Sequence, residues 1–454
     1  MTSIIVQARA RLFGGKRRTA IVLSAAAGLL SKSVNFAMLF AVVPLTLPHL
    51  GPERFGVLMT ILGYGALFSV VDLGIGSALI RETARSNALD KRAELASTLA
   101  SGLALLLVLG LGFSAAMLIL IRFTPVDVIF LRLPAQHADE TRHALTAFAL
   151  LFGVALPLQG LQKIYQGLQQ AYLTHTASAA LSIVALCALN FSPPDTLTMP
   201  VIVTWVYGLP ALAPLVFLPA FWRRHVRGLE RSWSDAPGHA RRLLRAGSLY
   251  LLLQLGYVLG WSIDGSLSSA MLGASAAGTL AVAQRLFQLV TVPLSLLNVP
   301  LWPAYSDAVA VGDYRFLRST LVKSMLFTLV LASGACGLIF VFRDEIINLW
   351  FGNRLAIPTA LIVLAAIMAT LEATGNAFAM YLNGLHILKP QLFVAVSFML
   401  ISVPLKYTLV QSHGIEGLVA STIACYVLCV VIPYSTFFRR RVFAAVSKGA
   451  SHVA

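Results

Sequence analysis

Leu50-Gly51-Pro52-Glu53-Arg54-Phe55-Gly56 and Leu272-Gly273-Ala274-Ser275-Ala276-Ala277-Gly278 share one frame: Leu-Gly, four further residues, then Gly. Each leads into a long apolar run. A short basic turn follows each run, Asp90-Lys91-Arg92 in one case and Asp313-Tyr314-Arg315 in the other. Further on, Gln166-Gly167-Leu168 and Asn383-Gly384-Leu385 close two more apolar runs. Three landmarks in the same order predict a duplicated six-helix unit. Because six crossings is an even number, the two copies keep one orientation and form a parallel repeat about an axis along the membrane normal. Such repeats commonly place a substrate path at their interface.

Composition agrees. Of 454 residues, 58% are hydrophobic and 11% charged, with a mean hydropathy of +0.82, which excludes a soluble domain and predicts an all-α polytopic membrane protein. About 20 apolar residues cross a bilayer, and breaks at Gly, Pro and charge clusters mark about twelve such spans. They lie near Thr19 to Leu47, Phe55 to Ile80, Leu95 to Ile121, Leu145 to Gln166, Ala171 to Phe191, Met199 to Trp222, Ser248 to Leu272, Gly278 to Tyr305, Leu321 to Phe342, Pro358 to Leu382, Gln391 to Gln411 and Gly417 to Phe438. The expected domains are an N-terminal bundle over 1–222, a basic linker over 223–247, a C-terminal bundle over 248–441 and a tail over 442–454.

A net charge of +16 raises the question of nucleic acid, but the basic residues segregate by membrane side and do not form one patch. One side collects the clusters Arg9 to Arg18, Arg81 to Arg92, Arg223 to Arg245, Arg315 to Lys323 and Arg439 to Lys448, together with Lys163 and Lys389. The opposite loops hold Arg54, Arg122, Arg132, Arg142, Arg343 and Arg354. This bias predicts that both termini are cytoplasmic. The stretch up to Arg18 runs straight into a full-length span, without the short apolar core and cleavage site of a signal peptide, and reads as retained. Cys187, Cys336, Cys425 and Cys429 all fall within spans. Cys425 and Cys429 share a helix face but lack His or carboxylate neighbours, so they read as packing residues and no metal site is expected.

Six charged residues, Lys32, Asp72, Asp264, Arg285, Glu372 and Lys406, lie inside the apolar stretches. A charge at mid-membrane costs roughly 2.5 to 3.5 kcal/mol on insertion scales, so these are the first candidates for function. In the seventh span Tyr250, Gln254, Tyr257, Trp261, Asp264 and Ser268 recur at helical steps and predict one aromatic, polar and acidic face. The eighth carries Gln284, Gln288, Thr291, Ser295, Asn298 and Trp302 at the same spacing, with Arg285 beside them and Pro293, Pro300 and Pro303 breaking the helix. The first aligns Ser24, Gly28, Ser31 and Asn35 next to Lys32, and the tenth aligns Glu372, Asn376 and Asn383.

Ser24, Gly28, Ser31 and Ser295 read as packing and hydrogen-bonding residues between helices. The stripe of Arg285, Gln284, Gln288 and Asn298 reads as the lining of a wet cavity, since a dry interface would need an equally polar partner stripe. Lys406 and Lys163 lie near span ends and are expected to snorkel. Asp72 either pairs with Lys32 or Arg285 or carries a proton, and the residues leave both open. There is no phosphate-binding Gly-x-x-x-x-Gly-Lys-Ser/Thr loop, no Gly-x-Ser-x-Gly and no His-Glu-x-x-His. Transport would then be secondary, with no cofactor expected and with proton coupling assigned to Asp72, Asp264 or Glu372.

Leu50 to Gly56, followed by Val71-Asp72-Leu73-Gly74-Ile75-Gly76 and Leu79-Ile80-Arg81, resembles the N-terminal signature of the MOP-superfamily polysaccharide exporters, the Wzx-type O-antigen flippases. Twelve spans in two halves extend the resemblance over essentially the whole chain. It implies a MATE-like fold of two bundles around a central cavity lined largely by the first, second, seventh and eighth helices. It also implies movement of undecaprenyl-pyrophosphate-linked oligosaccharide from the inner to the outer leaflet of a bacterial plasma membrane. Such a substrate needs a wet route, because each unpaired sugar hydroxyl costs roughly 4 to 8 kcal/mol in hydrocarbon. Under this resemblance Lys32 and Arg285 suit the pyrophosphate or acidic sugars, and Tyr257 and Trp261 suit sugar faces. Gln284, Gln288, Asn298 and Asn35 complete the expected site.

A multidrug antiporter on the same fold is the nearest alternative, but a cation exporter should present acidic residues in its first helix, which here carries Lys32 and no carboxylate. The related lipid II flippase is expected to have two more C-terminal spans, and none follows Arg441. A membrane-embedded glycosyltransferase, polymerase or ligase usually needs a sizeable outer loop, and the longest here, about Arg122 to Ala144, is short. A purely structural role leaves the charged stripes unexplained.

Overall fold

The computed structural model describes residues 2–89, 92–130, 133–221, 223, 236–352, 354–385 and 387–439. Asp90 and Lys91 of the first basic turn, Arg132, most of the expected linker (224–235), the tail from residue 440 and the Ser24 side chain lie outside the described residues.

Inside a bilayer every backbone N–H and C=O must find a partner within its own segment, which favours helices. Among the described residues there is no strand. Eight helices are long and apolar enough to cross a membrane, and ten when each of two bent pairs counts as one span. Two of the eight, Ala26–Asp72 and Lys389–Ser435, each contain a glycine of positive φ that divides them, Gly51 (φ 73°) and Gly414 (φ 60°). The expected twelve spans are thereby accounted for. They are α1 (residues 2–50), α2 (52–88), α3 (Arg92–Phe123), α4 (Ala138–Gly167), α5 (Ala171–Phe191), α6 (199–221), α7 (236–272), α8 (274–311), α9 (Tyr314–Val341), α10 (Thr359–Gly384), α11 (388–413) and α12 (415–435). α2 is interrupted at Leu73 and Gly74, and α8 at Val299 and Pro300.

The Leu-Gly frames sit at matching corners. Gly51 (φ 73°, ψ 170°) and Gly273 (φ 103°, ψ 166°) both occupy a backbone region open essentially to glycine alone. Gly56 and Gly278, five residues further on, face one another. A Cβ on Gly278 would stand 3.1 Å from the Gly56 Cα, and one on Gly56 would run into the Ala274 carbonyl. The landmarks that close α4 and α10 match as well. A Cβ on Gly167 would meet the Ile80 carbonyl at 2.7 Å and the Thr83 side chain at 2.8 Å; one on Gly384 would meet the Trp302 carbonyl at 3.2 Å and collide with Tyr305. Ile80 and Trp302, Thr83 and Tyr305, Gly51 and Gly273, and Gly56 and Gly278 are all separated by the same length of chain. The duplication is therefore present in the packing as well as in the sequence.

Packing divides the chain into two compact units. The first comprises Met1–His49, Tyr64–Val128 and Pro134–Gln254, and the second Leu50–Gly63, Ile129–Leu133 and Leu255–Ala454. Chain order is broken in two informative places: the first part of α2 packs in the second unit, and the first part of α7 packs in the first. Glycines make both approaches close. Gly56 lies against α8 within the second unit, while in the first a Cβ on Gly247 of α7 would stand 2.6 Å from the Leu73 carbonyl of α2.

Candidate functional site

In the first unit α1 and α5 are joined by Ser182, whose hydroxyl donates to the Asn35 side-chain oxygen at 2.5 Å. The Asn35 amide reaches back to Ser31 at 3.5 Å. Asn35 is thus a half-buried bridge between helices. Lys32, beside it, is exposed, and no hydrogen bond or ion pair engages it among the described residues. His175 of α5 lies one turn away, since a Cβ on Gly28 would stand 3.6 Å from its ring, and both Lys32 and Lys163 act on it electrostatically. Lys163 is half-buried, with its stem 3.3 Å from where a Gly76 Cβ would be. The unit therefore gathers three basic groups from α1, α4 and α5.

Asp72 departs from the expectation of a pair with Lys32. Its carboxylate accepts from the Gly74 N–H at 2.8 Å and the Gly76 N–H at 3.2 Å, where α2 breaks and restarts. A restarting helix has N–H groups without intrahelical partners, and a short carboxylate is among the best caps for them. Leu73 and Gly74 both take positive φ, 51° and 73°. Val71-Asp72-Leu73-Gly74-Ile75-Gly76 is thus the sequence of a capped helix break.

In the second unit Asp264 of α7 is buried and ion-paired with Lys406 of α11, whose ammonium also donates to the Gly260 carbonyl at 2.5 Å. Thr422 of α12 donates to the second carboxylate oxygen at 3.4 Å. Lys406 is 0% exposed. The expectation that it snorkels is wrong, because a carboxylate and a free carbonyl at its tip replace the water it would otherwise seek. The carbonyls come from a π-helical turn at Val258–Ser262, where Ser402 bonds the Leu259 carbonyl at 3.1 Å in the same way.

That turn also breaks up the predicted single face of α7. One extra residue per turn rotates everything after it by about 100°. Tyr257 before the turn is exposed, whereas Asp264 after it is buried. Trp261, within it, stacks on Phe398 at 6.0 Å and 11°, so one ring face is already occupied. Glu372 of α10 is exposed, with no hydrogen bond or ion pair among the described residues, and lies within electrostatic reach of Tyr257 and Tyr426.

The α8 stripe is only partly accessible. Arg285 donates to the Gln288 side chain at 2.7 Å and is half-buried, and Gln284 is exposed. Asn298 is buried and donates to Asn376 at 3.3 Å. Among the described residues no group of three or more His, Cys, Asp or Glu side chains could hold a metal ion.

The profile of the family described as polysaccharide biosynthesis protein matches residues 21–309, which is α1 to α8. The chain belongs to that family. The chain is similar in structure to an inward-facing multidrug resistance MATE family transporter of the MOP superfamily, at TM-score 0.73 and 14% identity over 94% of this chain and 98% of that one. The eukaryotic MATE transporter AtDTX14 matches at TM-score 0.62 and 14% identity, over 96% of this chain and 99% of that one. An outward-facing MATE family transporter matches at 0.60 and 16%, over 94% and 96%. No curated protein matches. The chain is a multi-pass membrane protein with the MATE-like fold. Sequence reasoning missed His175 and the coordinating role of Lys406. Both lie near span ends, where charge is ordinary, and only the tertiary partners set them apart.

Proposed function

We propose that this protein is a flippase that moves undecaprenyl-pyrophosphate-linked oligosaccharide, an O-antigen or exopolysaccharide repeat, from the inner to the outer leaflet of the bacterial inner membrane, with both termini cytoplasmic. The observation that carries this reading is the pair of lysines Lys32 and Lys163, both within electrostatic reach of His175, in a first unit whose α1 holds no carboxylate in its span. An anionic head is attracted there. Arg285, steadied by Gln288, offers a fork of paired donors that matches phosphate oxygens. Exposed Gln284 and Tyr257 are available to sugar hydroxyls and faces. Asn35, Asn298 and Trp261 are each engaged with protein partners within their own unit.

Of the three carboxylates, Glu372 is the best placed to exchange a proton or bind sodium, since Asp72 is committed to backbone amides and Asp264 to Lys406. Polysaccharide polymerase machinery is the expected downstream partner, and nucleic acid is not.

Deleting the gene and locating the accumulated lipid-linked oligosaccharide tests the reading. Accumulation on the inner leaflet, reversed by the native gene but not by Arg285→Ala at equal abundance, is expected. Accumulation on the outer leaflet would point to a polymerase-type role. The fold alone supports a second reading, a multidrug antiporter, which predicts drug sensitivity in the deletion strain with surface polysaccharide intact.

A further inference from the structure

Within the second unit lies a cavity of about 420 Å³ that the charged residues above leave unexplained. Leu371, Gly375 and Phe378 of α10 and Tyr426, Val430 and Tyr434 of α12 line it, the Phe378 and Tyr434 rings meeting edge to face at 5.2 Å, and Arg439 stands four residues beyond the end of α12. The wall is almost wholly apolar. An apolar hole without an occupant forfeits the dispersion contacts of every group that lines it, and in a bilayer the filler at hand is hydrocarbon.

The dimensions say which hydrocarbon. From Tyr426 to Ser435 the helical rise is about 13 Å at 1.5 Å per residue, close to half of the roughly 30 Å hydrocarbon thickness. The cavity's length thus matches one leaflet and not a whole span, and its far end lies toward exposed Arg439, which begins the run Arg439-Arg440-Arg441. A guanidinium at that level matches the phosphate of a lipid head, and basic clusters beside a span attract anionic lipids. We propose that this cavity binds an anionic phospholipid of that leaflet, with one acyl chain along the groove that α10 and α12 border and the phosphate on Arg439. A long polyprenyl chain would overrun a pocket one leaflet deep. The site is independent of what the protein transports.

Native mass spectrometry of the delipidated full-length protein, titrated with phosphatidylglycerol, phosphatidylcholine or undecaprenyl phosphate, tests this. Phosphatidylglycerol is expected to bind about tenfold more tightly than phosphatidylcholine, the scale of one charge-assisted contact. Arg439→Gln should remove that preference. Val430→Trp, which fills the cavity, should abolish binding of both lipids; if it fails to fold, Arg439→Gln still decides. Equal affinity for the two phospholipids, an unaltered preference in Arg439→Gln, or displacement of phosphatidylglycerol by undecaprenyl phosphate would overturn the assignment.

Discussion

The contact between α1 and α5 in the first unit and that between α7 and α11 in the second occupy matching places in the repeat, yet their chemistry is opposite. The first is neutral: Ser182 to Asn35, half-buried, with Lys32 left exposed alongside. The second is ionic: Asp264 and Lys406, sealed from solvent and completed by Gly260 and Thr422. The two lysines are not counterparts in the repeat, since Lys32 stands on α1 and Lys406 on α11, but one is left available while the other is locked into the scaffold. A lysine in a membrane helix is therefore a ligand candidate only when nothing in the protein has already claimed it.

The largest expected effect comes from breaking the ionic contact on one side. Lys406→Met leaves a buried carboxylate without a partner, and removing one member of a buried pair costs about 3 to 5 kcal/mol. Thermal unfolding in detergent should show a strong loss of folded protein, with most of it recovered by the double variant Asp264→Leu/Lys406→Met. A single variant as stable as the parent would show that the pair is not closed. Next in size is Gly56→Val, where overpacking against the Ala274 carbonyl should cost about 1 to 3 kcal/mol. Gly63→Val in the same helix meets open space and serves as the control.

The neutral contact should be weaker by comparison. Asn35→Ala is expected to cost about 0.6 kcal/mol, the average for hydrogen bonds between membrane helices, and the same unfolding measurement checks it. A loss as large as that of Lys406→Met would erase the contrast between the units. Glu372→Gln should have the smallest effect on stability, within error of the parent, while export of lipid-linked oligosaccharide falls. Undiminished export would move coupling to Asp264 or Asp72.

Twelve spans, two copies and the positions of the corners were legible in the sequence because they depend on local rules: apolar length, glycine at forbidden φ, proline at breaks. The charged positions were legible as a set, but not their roles. Asp72 was open between an ion pair and a proton carrier, and its contact with the Gly74 and Gly76 amides was not legible, because capping depends on where α2 breaks, and two positive-φ residues decide that. Lys406 looked like a snorkelling lysine, because only the fold brings Asp264 and a π turn to its tip. The α7 face was misread since period counting assumes an unbroken α-helix, and one extra residue at Val258–Ser262 defeats it.

The first part of α2, Leu50–Gly63, belongs by its contacts to the unit formed mainly by the second half of the chain, where Gly56 meets Ala274 and Gly278. During synthesis the N-terminal helices leave the ribosome first, and domains ordinarily complete themselves in that order. Here such completion is impossible. The segment has to wait in the membrane, with its glycine face unfilled, until α8 has been inserted. The early half is then a dependent intermediate of biogenesis, and a chain truncated after α6 should be recognised and degraded by membrane quality control.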